Sequence, residues 1–445
     1  MNNHIQDYIL KLFFEKSRWE KAIAKGVAKD IPHVQLRYLC SKEGRRKICA
    51  DIVSGNYRIS PPHTAYIPKD DGPDREVFVN DGIDRVVLSI INDILFEICH
   101  HMVHKSCTSY QTGIGCGKVV QQASKCIVVE SEKMRTKNNV TPIVGWKSDL
   151  SKYFDKVPIE YIDKSLDDVE AMYGKSAIIT VVREYYHQDV YFDTRDDELK
   201  CKYQSLKQGC AVASWLADVI LFHIDEALSN LRGFYVRYSD DTLFIGEDYE
   251  LAMQIMRSEL NKMRMDINPK KLEMLDRDHW FKFLGFSIKG EQISLSDRRI
   301  KNFQHEIMER TIAHHDPKTN KISILSPDKA LSAVNRFLYI GDGEHSWASQ
   351  VLPIVNVQAD IDELNGYVLD CLRATITRKT KVGGLGFVKQ ARKGRGCIDR
   401  GRGRNVRSNR MKTPPRIEGY RTLRCMANAL RTDIGVYRAF VAGLK

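Results

Sequence analysis

The stretch YVRYSDDTLFIG, residues 235–246, constrains the fold more than any other part of the chain. β-branched and aromatic residues flank two adjacent aspartates, Asp240 and Asp241. The flanks read as the two strands of a hairpin, with the acids at its turn. Acidic residues are poor strand formers, and neighbouring like charges repel. In most proteins such a pair is simply a solvated turn. Set between apolar strands, it is stabilised if divalent cations neutralise it. Mg²⁺ takes hard oxygen ligands in octahedral geometry, so a third carboxylate is expected from a neighbouring strand. The run WKSDLSKYFDKVP offers Asp149 at the end of a strand-like segment. Asp149, Asp240 and Asp241 are a set able to hold two ions about 4 Å apart, the arrangement for in-line displacement at phosphorus.

The remaining pattern alternates helices and strands. The first 50 residues read as mostly helical, 55–79 as short strands joined by turns, and 81–104 as a helix. Residues 141–154 read as a strand running into a turn. The runs 165–188 and 208–231 read as helices, the second long and strongly apolar. A helix near 251–265 and a strand at 281–288 follow, then a helical region to about 385. An Arg/Gly-rich run at 389–412 reads as a loop, and 420–440 as a last helix.

Composition narrows the class. A chain of 445 residues suggests two to four domain-sized units. The formal charge of +12 makes a polyanionic partner the natural expectation, nucleic acid before membrane surface. No run of about 18 apolar residues predicts a transmembrane helix. The first residues read as an amphipathic helix and not as a secretory signal. Eleven scattered cysteines without a CxxC pair suggest reduced thiols and a cytoplasmic protein.

Several blocks, in order from about Ile52 to Ile288, carry a resemblance. YSDD (238–241) resembles the YxDD signature of reverse transcriptases. GNYRISPP, IPKDDGPDREVFV and DRVV resemble the fingers of bacterial, group II intron-like enzymes. SDLSKYFD resembles their first palm motif, LKQGCAVASWLADVIL the QGxxxS helix, and INPKKLEML and FKFLGFSI the two closing palm motifs. The resemblance implies an α+β right-hand polymerase: fingers at 1–144, a palm at 145–289 with a fingers-like insertion near 176–205, a helical thumb at 290–385, and a basic segment with a C-terminal helix at 386–445.

It also implies roles. Asp149 and Asp240 would bind both Mg²⁺ ions (Mn²⁺ as a substitute), with Asp241 completing the site and the Leu150 carbonyl as a further ligand. Lys69 and Arg75 would clamp the triphosphate, Phe154 would exclude a 2′-hydroxyl, and Gln208 and Gly209 would lie near the nucleotide, the glycine allowing close backbone approach to the new base pair. Lys271 would protonate the departing pyrophosphate, with Lys270 an adjacent competitor, and Leu284 and Gly285 would form the primer grip. Asp155 reads as a helix cap or a salt-bridge partner. The partners implied are an RNA template, a DNA primer or product, and dNTPs, with no membrane.

One block departs from the intron enzymes: Trp215 follows Ser214 where they usually have proline. Neither paired HNH cysteines nor the retron NAxxH and VTG motifs occur. What remains resembles stand-alone bacterial reverse transcriptases associated with phage defence, often paired with a noncoding RNA. Alternatives are an intron- or retroelement-encoded enzyme, a template-independent or protein-primed polymerase, and a non-catalytic RNA-binding scaffold. CHHMVHKSC (99–107) holds ligand types that zinc uses, but on different faces of an expected helix. TGIGCGKVV (112–120) lacks the spacing of a phosphate loop and suits a place near the template backbone better.

Overall fold

A computed structural model describes residues 7–68, 74–111, 115–135, 141–316, 319–341, 345–378 and 417–444. The chain divides into two compact units, one made of Met1–Ile114 and Ile143–Leu275, the other of Gly115–Pro142 and Asp276–Lys445. Lys69 and the Arg/Gly-rich run 389–412 lie outside the described residues.

The first unit opens with four helices, α1 (Tyr8–Phe13), α2 (Lys16–Ala24), α3 (His33–Cys40) and α4 (Lys42–Val53). Their starts are written in the sequence. Asp7 accepts from the Leu10 amide and Ser41 from the Gly44 amide, partnering donors that a helix start leaves free. β1 (His63–Ile67) and β2 (Arg75–Val79) form an antiparallel pair, and α5 (Gly82–Ile98) follows. Val86, Val87, Leu88, Ile90, Ile91, Ile94 and Leu95 of α5 are buried. At roughly 1.5–3 kcal/mol for each fully buried aliphatic side chain, this helix is a principal anchor of the unit's core. It stops at Ile98, short of the expected His104. His100–Met102 form a 3₁₀ turn instead.

The helix α6 (Cys116–Lys133) belongs to the second unit; the first resumes at β3 (Gly145–Asp149). Then come α7 (Tyr153–Lys156), α8 (Ile159–Tyr173), α9 (Ala177–Tyr186), β4 (Val190–Asp193) and β5 (Glu198–Cys201). The expected helix at 165–188 is therefore two. Gly174, at φ +84, ends α8, and Ser176 caps α9 through the Ile178 amide. β4 and β5 extend the first hairpin into a sheet of order β2-β1-β4-β5.

The long apolar run 208–231 also splits, into α10 (Val212–Val219) and α11 (Phe222–Ser229). The carbonyls of Ala217 and Asp218, freed where α10 ends, accept from Arg237. A continuous helix would use those carbonyls internally. The hairpin expected at 235–246 is present as β6 (Phe234–Tyr238) and β7 (Asp241–Ile245). With α12 (Tyr249–Lys262) and β8 (Glu273–Leu275), it completes an antiparallel sheet of order β6-β7-β3-β8. β3 and β7 are the two central strands. Trp146 of β3 stacks on Phe244 of β7 at 6.1 Å, and its indole N–H donates to the Tyr249 carbonyl.

The second unit carries α6 and a three-stranded sheet of β9 (Phe281–Phe283), β10 (Phe286–Lys289) and β11 (Gln292–Leu295). The single strand expected at 281–288 is a tight hairpin. Leu284 and Gly285 both have positive φ, +49 and +80, as a two-residue turn with right-handed strand twist requires. The region expected to be helical also contains β11 and a hairpin of β12 (His314–Asp316) and β13 (Lys321–Ser323). Its helices are α13 (Asp297–Glu309), α14 (Pro327–Asn335), α15 (Trp347–Val351) and α16 (Gln358–Thr377). The expected last helix is α17 (Leu423–Thr432) and α18 (Ile434–Ala442), divided at Asp433, whose carboxylate caps α18 at the Gly435 amide. Both units combine helices with mainly antiparallel sheets, the β1–β4 pair alone among the named strand pairs being parallel, which is the α+β class. No helix of the described residues is long and apolar enough to cross a membrane.

Candidate active site

Strand register assembles the carboxylates. β3 ends at Asp149, β7 begins at Asp241, and the two are paired directly across the sheet. Beyond them, the Leu150 amide donates to the Asp240 carbonyl at 3.1 Å, and the Asn268 amide donates to the Asp149 carbonyl at 2.8 Å. One step back along the strands, the Ser148 and Thr242 hydroxyls meet at 2.6 Å. Asp149 and the distant Asp240–Asp241 pair thus share the ends of two central strands. Burial, reinforced by Asp149 and Asp241, pushes the Asp240 carboxyl up to about 6. Burial raises Asp241 as well, with Asp149 adding to it. Lys271 Nζ donates to Asp149 Oδ2 at 2.6 Å.

A cavity of about 620 Å³ opens beside these groups and is lined by Asp149, Leu150, Phe154, Asp240, Lys271, Arg75 and Gln208. Seven of the sequence candidates therefore meet in one place. Lys271 lines it and Lys270 does not appear in its wall. Asp155 also lines it, from the short helix α7. Phe154 is half-buried there, and its carbonyl accepts from the Leu206 amide at 3.1 Å, which ties it to the loop carrying Gln208. Gly209 lines a neighbouring cavity of about 330 Å³ together with Phe154 and Gln208. The fold adds a local reason for glycine here. At φ +113, a Cβ at 209 would stand 2.6 Å from the Phe78 carbonyl oxygen. The close approach is to β2 of this protein, sealed by the Phe78 amide donating to Gln208 O at 2.6 Å. Leu284 and Gly285 lie in the second unit, where they form the β9–β10 turn, and Lys69 is outside the described residues.

Lys152, Lys156, Lys202 and Asn268 also line the main cavity, and sequence reasoning did not single them out. Lysines are frequent in a basic chain, and only the fold shows which face a cavity. Lys152 had one local signal, its place two residues before Phe154; it takes a left-handed φ of +53 at the start of α7. Arg237 was missed too. It sits two residues before Ser239, fully buried, with its Nε–Nη2 edge on the two oxygens of Asp225.

Among the described residues, the His/Cys-rich block at 99–107 forms no metal cluster. His101 Nε2 lies 2.9 Å from Met172 Sδ, the Ser106 amide donates to His104 Nδ1, and Cys99 and Cys107 are buried. Residues 112–114 are outside the described set, and the remainder of that glycine-rich block opens α6.

The donor set at the strand ends suits a divalent cation: hard oxygens, little solvent, and mutual repulsion. Among the described residues no three His, Cys, Asp or Glu side chains are drawn into a chelating cluster. The backbone brings the acids together, and Lys271 takes one oxygen of Asp149.

Residues 67–288 match the family model described as reverse transcriptase (RNA-dependent DNA polymerase). The chain carries a reverse transcriptase domain. Its mixed helices and antiparallel sheets are of the right-hand polymerase class. The match runs from the end of β1 to β10, so the reverse transcriptase domain includes the whole carboxylate site. None of the curated proteins matches this chain. Among solved structures, it is similar to apo telomerase from Candida tropicalis, at 12% identity and a TM-score of 0.40, covering 72% of this chain and 57% of that one. It is also similar to the Sicinivirus 3Dpol RNA-dependent RNA polymerase, at 11% identity and a TM-score of 0.38, covering 59% of this chain and 58% of that one. A partial Cas6-RT-Cas1–Cas2 complex is similar at 14% identity and a TM-score of 0.34, covering 57% of this chain and 41% of that one. The chain thus spans just over half the length of the telomerase it matches.

Proposed function

We propose that the chain is an RNA-directed DNA polymerase that adds dNTPs to a primer 3′ end. The observation that carries this is the direct pairing of Asp149 with Asp241, beside Asp240, at the mouth of a cavity that also holds Phe154, Arg75, Gln208 and Lys271. Asp149, Asp240 and Asp241, with the Leu150 carbonyl, would hold two Mg²⁺ ions, or Mn²⁺ in their place. When bound, such ions lower the pKa of the primer hydroxyl and neutralise the triphosphate. The chain's own residues supply position and charge. Arg75, and Lys69 by the resemblance, would offer cations to the triphosphate, Arg75 with a bidentate fork. Lys271, within 2.6 Å of Asp149, would deliver a proton to the leaving pyrophosphate. Phe154 presents an aromatic wall against the sugar and excludes a 2′-hydroxyl by bulk. Gln208 and Gly209 would face the nucleotide, and Leu284 and Gly285 the primer strand.

The proposed organisation is fingers at 1–144, palm at 145–289, thumb at 290–385 and a basic segment at 386–445. The net charge of +12 supports binding to RNA phosphates, which salt should weaken steeply. We further propose a cytoplasmic bacterial protein of the phage-defence type, paired with a dedicated noncoding RNA. Sequencing the nucleic acid that co-purifies tests this part; random cellular RNA with no cDNA would refute it. The polymerase claim is tested by primer extension on an RNA template. Asp240→Asn should abolish incorporation while RNA binding persists, and a variant that extends primers normally removes the metal assignment. Synthesis by the wild type without template would favour a terminal transferase instead.

A further inference from the structure

Ser239 stands between Tyr238 and the aspartate pair, in the left-handed region at φ +56. A residue other than glycine keeps that conformation only where its surroundings over-determine it. Here both of its backbone polar groups are held. Its N–H donates to Ser109 Oγ at 2.9 Å, and the Ser109 hydroxyl donates to Asp218 Oδ1 at 2.5 Å. Its carbonyl accepts from Arg237 Nη1 at 3.1 Å.

Arg237 is itself immobilised. Its Nε and Nη2 donate to the two oxygens of Asp225 at 2.8 and 2.6 Å, while Nη1 and Nη2 also reach the carbonyls of Ala217 and Asp218. Its main chain is strapped to the segment carrying Ser109: the Arg237 amide donates to the Ser106 carbonyl, and the Thr108 amide donates to the Arg237 carbonyl, both at 2.8 Å. Tyr235 adds a hydroxyl to Asp225 at 2.9 Å. Ser109, Asp218, Asp225 and Arg237 are all 0% exposed. A buried, mutually bonded set of charges has few alternative arrangements, because a displaced group leaves a buried charge or polar atom uncompensated.

We infer that Ser109 and Arg237 are positioning residues that lock Ser239 left-handed and so aim the carboxylates of Asp240 and Asp241 at the divalent ions. They touch neither ion nor substrate. A peptide freed at 239 re-orients the Cα–Cβ bond of Asp240, and misplacement of about 1 Å is enough to cost on the order of 100-fold in rate. The inference rests on the polymerase reading for its catalytic consequence, but not for the locked turn itself.

The test combines site-resolved amide hydrogen exchange of metal-free protein, Mn²⁺ binding by electron paramagnetic resonance, and primer extension. In the wild type the Ser239 amide should be among the slowly exchanging ones. Ser109→Ala should speed its exchange about tenfold, the factor one net hydrogen bond supplies. The same variant should bind Mn²⁺ several-fold more weakly and lower kcat for extension while leaving the KM for dNTP nearly unchanged. Arg237→Lys keeps the charge opposite Asp225 but cannot span to the Ser239 carbonyl, so it should move all readouts in the same direction. Rapid exchange at Ser239 in the wild type overturns the inference and needs no variant to fold. So does a folded Ser109→Ala protein with unchanged exchange and Mn²⁺ affinity. A wild type that binds Mn²⁺ but never extends a primer refutes the polymerase reading alone, since the exchange and binding measurements stand without it.

Discussion

Lys207, one residue before Gln208, is 1% exposed and yields a sharp prediction about stability and pH. Its ammonium donates to the Gln188 carbonyl at 2.5 Å and to Gln204 Oε1 at 3.3 Å, and it lies 4.6 Å from the centre of the Tyr185 ring. Among the described residues no carboxylate forms an ion pair with it. Burial therefore lowers its pKa from 10.5 to about 8, although Cys210 and Asp189 pull the other way. At 1.36 kcal/mol per pH unit, keeping the ammonium charged in the fold costs roughly 3 kcal/mol.

The sign follows from proton counting. Between pH 8 and 10.5 the unfolded chain holds a proton that the folded chain has released, so stability rises with pH across that window. Below pH 8 both states are charged and the full penalty applies. Lys207→Met removes the penalty and the titration together, but leaves the Gln188 carbonyl without this donor, a loss of about 1–3 kcal/mol. At pH 7 the variant should lie within about 1 kcal/mol of wild type, as the two effects nearly cancel. From pH 7 to 9.5 the wild type should gain about 2 kcal/mol relative to the variant. Urea unfolding of the first unit followed by tryptophan emission reads this, because Trp19, Trp146 and Trp215 are fully buried there. Differencing the two proteins cancels every other titrating group. A difference that stays flat between pH 7 and 9.5 would refute the reasoning.

Three further outcomes are expected. Phe154→Ala should relax discrimination against ribonucleotides by roughly 10- to 100-fold in single-nucleotide incorporation; unchanged selectivity removes the gate. Gly209→Ala places a Cβ against the Phe78 carbonyl at φ +113 and should destabilise the first unit by about 1–3 kcal/mol, measured by urea unfolding. Asp225→Asn strands the charge of Arg237 and should cost about 3–5 kcal/mol by the same measurement; a loss under 1 kcal/mol would mean the pair is not a structural anchor.

The local chemistry of this site was legible before any coordinates. A hairpin of β-formers interrupted by two acids leaves few physical solutions, and the strand-like run ending at Asp149 reads as a partner strand. Elements whose sequence carries its own signal came out as expected, such as the helices of the first 50 residues and the apolar stripe of α5. Expectations failed where long-range partners decide. Past Gly209 the apolar run 208–231 has no helix breaker, yet it divides where Arg237 claims the carbonyls at 217 and 218. The Leu284–Gly285 pair turns a strand back on itself.

Sequence by itself determined which residues can bind metal, donate protons and form strands, because these are properties of single side chains and their immediate neighbours. Tertiary structure alone decided that Asp149 pairs with Asp241, that Lys271 and not Lys270 faces the cavity, and that Ser109 grips the turn at Ser239. Those facts are strand register and buried hydrogen bonding between segments more than 90 residues apart, and no local pattern encodes them.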